Sequence, residues 1–124
     1  MSLEIIHFLV NQFSLEPTDD ETESEKDFDM SVNSAIDFNQ QNGTDFRIRM
    51  SLVLHQNCKF KFQATQTAIV RGEKVSIEEM KSAAKKIPVQ QILYPYLRAF
   101  TLSTLKTAGY NDVMLPVLLT EKED

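Results

Sequence analysis

Two side chains able to ligate a metal or act as a nucleophile lie close together: His55 and Cys58 flank a short turn, Gln56-Asn57. An imidazole beside a thiol is half of a zinc site, or a thiolate–imidazolium pair. Neither role is completed. Cys58 is the one cysteine and His7 the one other histidine, and no third and fourth ligands stand at matching spacing. The pair fits a solvent-side turn, and His7, embedded in an apolar run, reads as a strand residue. The chain has no Gly-x-Gly-x-x-Gly, Walker loop, Gly-x-Ser-x-Gly or His-Glu-x-x-His signature, and 3 glycines leave little backbone to cradle phosphate. The sequence therefore reads as non-enzymatic, with no cofactor and no metal.

Charge is the second source of chemistry. The overall net charge of −5 conceals a segregation: Glu16 to Asp29 holds eight carboxylates against Lys26, a local net of −7. Between Phe46 and Asn111, eleven bases face Glu73, Glu78 and Glu79, a net of +8. The acidic run has no apolar residue between Pro17 and Lys26, so it reads as a solvated loop over about 16–27. It lacks the ligand spacing and turn glycine of a calcium loop; a docking surface for a basic partner is the other functional reading. The basic half invites a test for nucleic acid, because Arg47, Arg49, Lys59, Lys61 and Arg71 could share a sheet face. That face carries no interleaved aromatics for base stacking, and Asp37 and the acidic loop compete with phosphate for the same cations. Nucleic acid is not expected as a partner.

The elements that position these residues come from a chain of 124 residues, 42% hydrophobic and 25% charged, a single ordinary globular domain. A single cysteine excludes a disulfide framework. No apolar run approaches the length that crosses a bilayer, and the stretch before His7 has no basic residue, so neither a membrane span nor a signal peptide is expected and the expected location is cytoplasmic.

Leu3 to Leu15 reads as one long strand with apolar residues on both parities: Ile5, Leu9, Phe13 and Leu15 on one, Ile6, Phe8 and Val10 on the other. Either both faces are covered or a bulge switches the inward side, and the pattern does not choose. Phe28 to Phe38 alternates cleanly, as do Phe46 to Leu54 and Phe60 to Val70, which gives three half-buried strands. The dipeptide Asn42-Gly43 signals a hairpin between the first two. Shared parity of the apolar residues requires loops of odd length or a bulge, and a pairing of Phe38 with Phe46 sets Asp37 opposite Arg47.

Ser76-Ile77-Glu78-Glu79 is a capping box, opening a helix expected to reach about Lys86 and to end before Pro88. A second helix from about Val89 or Ile92 to Ala108 carries Ile92, Leu93, Tyr96, Leu97, Phe100 and Leu105 at helical spacing, with Gly109 as its stop and Pro95 expected to begin, kink or unwind it. Tyr94 and Leu102 widen its apolar surface beyond one stripe, which points to an ordinary core helix or to one that also meets another subunit or lines a groove. Four strands followed by two helices indicate α+β, with the helices on one face of a four-stranded antiparallel sheet and the other face polar.

Ile92-Leu93-Tyr94-Pro95-Tyr96-Leu97-Arg98 resembles the Ile-Leu-Phe-Pro-Tyr-x-Arg signature of the bacterial export chaperone SecB. Ala108-Gly109, followed by an apolar stretch to Leu115-Pro116-Val117, is similar to that family's Arg-Gly, spacer and Leu-x-Pro-Val ending, and Phe13-Ser14-Leu15-Glu16 to its first-strand end. The resemblance implies a SecB-like fold assembled as a dimer or tetramer, and the binding of unfolded or extended polypeptide in apolar grooves. Tyr94, Tyr96, Leu97 and Phe100 are then the candidate groove or interface residues. The family offers an acidic sheet face to its export motor; here the matching positions hold Gln12, Lys61 and Gln63, and Glu16 is the one retained docking candidate. The alternative is an adaptor on the same fold with one dedicated protein partner.

Overall fold

In the computed structural model, which describes residues 3–20, 28–38, 45–72 and 77–117, four antiparallel strands precede two helices. They are β1 (Glu4–Pro17), β2 (Phe28–Phe38), β3 (Asp45–Gln56), β4 (Phe60–Arg71), α1 (Ile77–Ala84) and α2 (Val89–Thr107). The sheet order is β1-β4-β3-β2. Strands two to four form a meander and β1 lies beyond β4, so the β1–β2 connection crosses the sheet in a Greek-key path, leaving β1 and β2 as the edges.

Register follows the parity of the sequence. Phe38 pairs with Phe46 and Asp37 with Arg47; Gln56 pairs with Phe60 across a three-residue turn. Asp37 also reaches the next base along β3, with its carboxylate 2.7 Å from Arg49 Nε and 3.3 Å from Arg47 Nε. Such part-exposed pairs fix register at a gain of a few tenths of a kcal/mol. Alternate residues of the central strands, from Phe46 to Leu54 and from Phe60 to Val70, are buried beneath the helices.

The two parities of β1 are reconciled by bulges. Its pairing with β4 skips Ile6 and Asn11. The inward face consequently passes from Ile5 to Phe8 and Val10, then to Phe13 and Leu15, the partners of Val70, Ala68, Gln66, Ala64 and Phe62. Each bulge flips the side-chain alternation, so these apolar residues all end on the helix side.

α1 ends at Ala84 rather than near Lys86, because the Lys86 and Ile87 amides bond back three residues to the Ala83 and Ala84 carbonyls and tighten the chain before Pro88. α2 continues through Pro95, whose missing N–H leaves the Gln91 carbonyl without its helical donor. Gly109, at φ +103°, stops α2 as its position predicts: its amide bonds to the Lys106 carbonyl and the Tyr110 amide to that of Leu105. This Schellman arrangement needs a left-handed residue, the conformation glycine adopts without a Cβ clash. The turn lays Tyr110 on Phe60, ring centroids 4.7 Å apart, and sends residues 111–117 back along the helix. Glu16 and Pro17 belong to β1 rather than to the acidic loop. The capping serine Ser76, the Asn42-Gly43 dipeptide and residues 21–27 of that loop lie outside the described residues.

Candidate functional site

The breadth of α2 resolves into three stripes. Leu93, Leu97, Thr101 and Leu105 are buried over the central strands. Tyr94 and Arg98, one turn apart, face the returning segment: the Tyr94 hydroxyl and Arg98 Nε both donate to the Pro116 carbonyl, and Arg98 Nη2 donates to that of Leu115. Burial pushes the Tyr94 phenol above its ordinary pKa, with the Arg98 charge opposing, so the hydroxyl keeps the proton it donates. Tyr96 and Phe100 form the third stripe and face β1.

On that side the helix and the edge strand make a row of aromatic contacts. Phe8 and Tyr96 have ring centroids 4.8 Å apart, and Phe13 and Phe100 meet edge to face at 5.2 Å. Both β1 phenylalanines pair with alanines, Ala68 and Ala64, whose small side chains leave the sheet surface beneath the rings low. The rings are not sealed in. Phe8 is 46% exposed, Phe13 58% and Tyr96 52%, whereas Tyr94 and Leu97 are at 1% and 0%. A cavity of about 470 Å³ opens at one end of the row between Ile5, Phe8, Ile92 and Tyr96. Of the four helix residues singled out in the sequence, Tyr96 and Phe100 line this groove, while Tyr94 and Leu97 lie in the core beside it.

Among the described residues β1 pairs with β4 alone, so one side of a 14-residue strand keeps its backbone donors and acceptors free. An extended chain laid there could complete the ladder and place alternate side chains on the aromatic row. Phe8 and Phe13 were hidden in the sequence by the bulges, which broke the alternation that marks an inward face; the surviving signal was the apolar content of both parities.

No family model and no curated protein sequence matches the chain. Its backbone does match a solved structure, the Mycobacterium tuberculosis SecB-like chaperone Rv1957 in complex with a ChAD peptide from the Rv1956 HigA1 antitoxin. The two share 17% sequence identity and a TM-score of 0.70 over 94% of this chain and 90% of that one. The fold is SecB-like.

The remaining residues with chemical potential serve the turn of this SecB-like sheet. His55 Nε2 donates to the Asp20 carbonyl at 3.2 Å, the Cys58 amide donates to the same oxygen at 3.0 Å, and Cys58 Sγ lies 3.5 Å from the Asp19 carbonyl. They staple the start of the crossover to the β3–β4 turn. Among the described residues no group of His, Cys, Asp or Glu could hold a metal ion. Glu16 stands opposite Lys61 on the polar face, away from the aromatic groove. No described helix is long and apolar enough to cross a membrane.

Proposed function

We propose that this SecB-like chain binds extended or unfolded polypeptide without catalysis, along the groove between β1 and α2. The row of half-exposed rings, Phe8, Phe13 and Tyr96, beside a free strand edge carries the reading. Covering such a ring gains roughly 1 kcal/mol, about half the value of burying a large apolar side chain completely. Several rings and a few backbone hydrogen bonds then suffice for a reversible complex. Tyr96 and Phe100 provide direct contacts, and Tyr94 and Leu97 hold the helix that carries them.

The solved neighbour's peptide from one antitoxin favours a second reading, an adaptor for a single dedicated partner on the same groove. Suppression of aggregation separates the two. A general chaperone protects several unrelated unfolded proteins at near-stoichiometric ratios, and Tyr96→Ala weakens protection of all of them; protection of one protein or none rejects the generalist form.

Self-association into a dimer or tetramer is part of the same proposal, since exposed apolar residues on an edge strand are covered by a second copy when no client is present. Sedimentation at micromolar concentration tests it, and a monomer would remove it. We place the chain in the cytoplasm, and keep Glu16 as the polar-face candidate for docking a protein partner.

A further inference from the structure

Between its two bulges β1 holds a short separate ladder, in which His7–Val10 pair with Gln66–Ile69. Little holds that ladder in register. Phe8, on the helix side, is 46% exposed and Leu9, on the polar side, 41%, so burial hardly distinguishes which of the two faces inward. A strand with apolar residues on both faces specifies its register weakly, and a slip of one residue exchanges those faces.

Asn11, skipped by the ladder, is where two registers part. In the observed one the Thr67 hydroxyl donates to Asn11 Oδ1 at 2.8 Å on the polar side, which holds the bulge out. Gln12 pairs with Thr65, so an Asn11 drawn into the ladder would stand opposite Gln66. Val10, Leu9, Phe8 and His7 would then follow opposite Thr67, Ala68, Ile69 and Val70. Phe8 leaves the groove, and Leu9 takes its place over Ala68. Gln66 is 1% exposed and its Oε1 has no hydrogen-bond partner among the described residues. The Asn11 amide brings a donor to that oxygen. The second register thus satisfies the acceptor that the first leaves bare, and gives up the Asn11–Thr67 bond and the Phe8–Tyr96 ring contact at 4.8 Å.

We propose that Asn11 sets the register of β1: bulged and held by Thr67 it places Phe8 in the groove, and drawn in against Gln66 it places Leu9 there, in a minor population of the same protein. Asn11 is a positioning residue, since it acts through Phe8. Capture of polypeptide selects the first register, because only there does the Phe8 ring line the groove. That regulatory consequence rests on the polypeptide-binding reading; the two registers themselves do not.

Paired cysteines report the registers, because a disulfide needs two side chains on one face with Cβ atoms about 4 Å apart. In the full chain carrying Cys58→Ser, H7C/I69C are opposite one another in the observed register, L9C/A68C in the slipped one and L9C/A64C in neither. In a glutathione buffer H7C/I69C should close fastest, L9C/A68C more slowly and L9C/A64C not at all. Thr67→Val should speed L9C/A68C closure several-fold, and Thr67→Ser, which keeps the hydroxyl, restore the original rate. Gln66→Met should slow it several-fold, and deletion of Asn11, which leaves the observed register without its bulge, should abolish it. Circular dichroism of the reduced proteins certifies the fold. In the unsubstituted chain, nitrogen relaxation dispersion should show exchange at residues 7–11 that Gln66→Met quenches. L9C/A68C closure no faster than the L9C/A64C control even with Thr67→Val, or indifferent to every one of these changes, overturns the proposal. Capture of unfolded protein is then measured on oxidised L9C/A68C and on the Asn11 deletion. Loss in the first, reversed on reduction, and retention in the second are expected. Equal capture by the two locked forms, with register-specific closure intact, rejects the aromatic-groove reading and leaves the two registers standing; register-blind closure, with capture still dependent on Tyr96, rejects this proposal alone.

Discussion

β1 and β2 are edge strands of one sheet, yet two bulges interrupt β1 and leave Phe8 and Phe13 half exposed, whereas β2 pairs without a break and keeps Phe38 half buried. The rings of β1 meet other rings on α2; the ring of β2 meets a lysine on α1. Among the described residues β1 pairs with β4 alone and β2 with β3 alone, and such sheet edges are restrained in proteins with bulges, charge or cover. On β1 the restraint is the pair of bulges, which interrupt the flat ladder that indiscriminate strand addition needs. Beside β2 it is cover, since Lys81 of α1 reaches over the Phe38 ring, 5.8 Å from its centre. The two edges therefore differ in side chains and cover, because backbone pairing is the same for every sequence.

That contrast depends on a rigid centre, and the largest effect is expected where α2 enters it. Leu97→Ala removes a fully buried side chain, and loss of transfer energy plus the cavity left behind costs about 2–5 kcal/mol. Tyr96→Ala, one residue along, should cost under about 1 kcal/mol and instead reduce polypeptide capture. Denaturant melts of both variants make the comparison. Equal destabilisation would mean that Tyr96 belongs to the core and that the β1 groove is shallower than described.

A smaller shift, of opposite sign, is expected where β1 joins the centre. Gln66 sits between Val10 and Met50 on the helix side, 1% exposed, and its Oε1 has no hydrogen-bond partner among the described residues. A buried acceptor without a donor costs about 1–3 kcal/mol. Gln66→Met, of similar length and without the amide, should therefore stabilise the fold by about 1 kcal/mol, seen as a rise in the denaturation midpoint at constant slope. A loss of stability would reveal a partner for that oxygen and a polar contact beneath β1.

Substitution on the edge itself is expected to change association more than stability. Phe8→Ser with Phe13→Ser removes half-exposed rings, so the fold should lose only about 1 kcal/mol per ring while client capture and any self-association weaken together. Raising salt should leave this groove's affinity nearly unchanged, since screening acts on charge and the contacts here are apolar. A steep loss of affinity with salt would mean that charge rather than the rings carries capture.

Most of the sheet was legible because burial on one face imposes a period of two, and a slip of one residue exposes every apolar side chain. The Phe38–Phe46 register and its Asp37–Arg47 pair follow from that rule. The stop at Gly109 was legible for an equally local reason, the left-handed backbone that glycine allows. β1 was not resolved, because bulges at Ile6 and Asn11 arise from its pairing with β4 and leave no local signature beyond mixed parity. The helix was read as apolar, but not how its surface is shared out. Tyr94 and Tyr96 look alike in the sequence; the return of residues 111–117 after Gly109 buries one and leaves the other facing β1.

The smallest effect concerns the segment that joins the two edges. Asp20 accepts a hydrogen bond from Lys61 at 2.9 Å, and that bond, then the lysine charge, holds its carboxyl below the usual carboxylate value. A depressed folded-state pKa means that the tether is fully present above the ordinary carboxylate value and is lost as pH falls through the lower, folded one. Asp20 is exposed, so the consequence is local. Acidification should first loosen the start of the crossover, where the Thr18 amide bonds to the Lys59 carbonyl at 3.1 Å and the Cys58 amide to that of Asp20 at 3.0 Å, before the sheet responds. Hydrogen exchange is the measurement: protection factors of these two amides should drop as pH falls below the ordinary carboxylate range, while those of Leu52 and Phe62 in the central strands hold. Lys61→Met should raise the Asp20 carboxyl titration toward its ordinary value and move the loss of protection to higher pH with it. A titration of Asp20 indifferent to Lys61→Met would detach the crossover from β4, and the path from one edge to the other would then be held at the turn by backbone bonds alone.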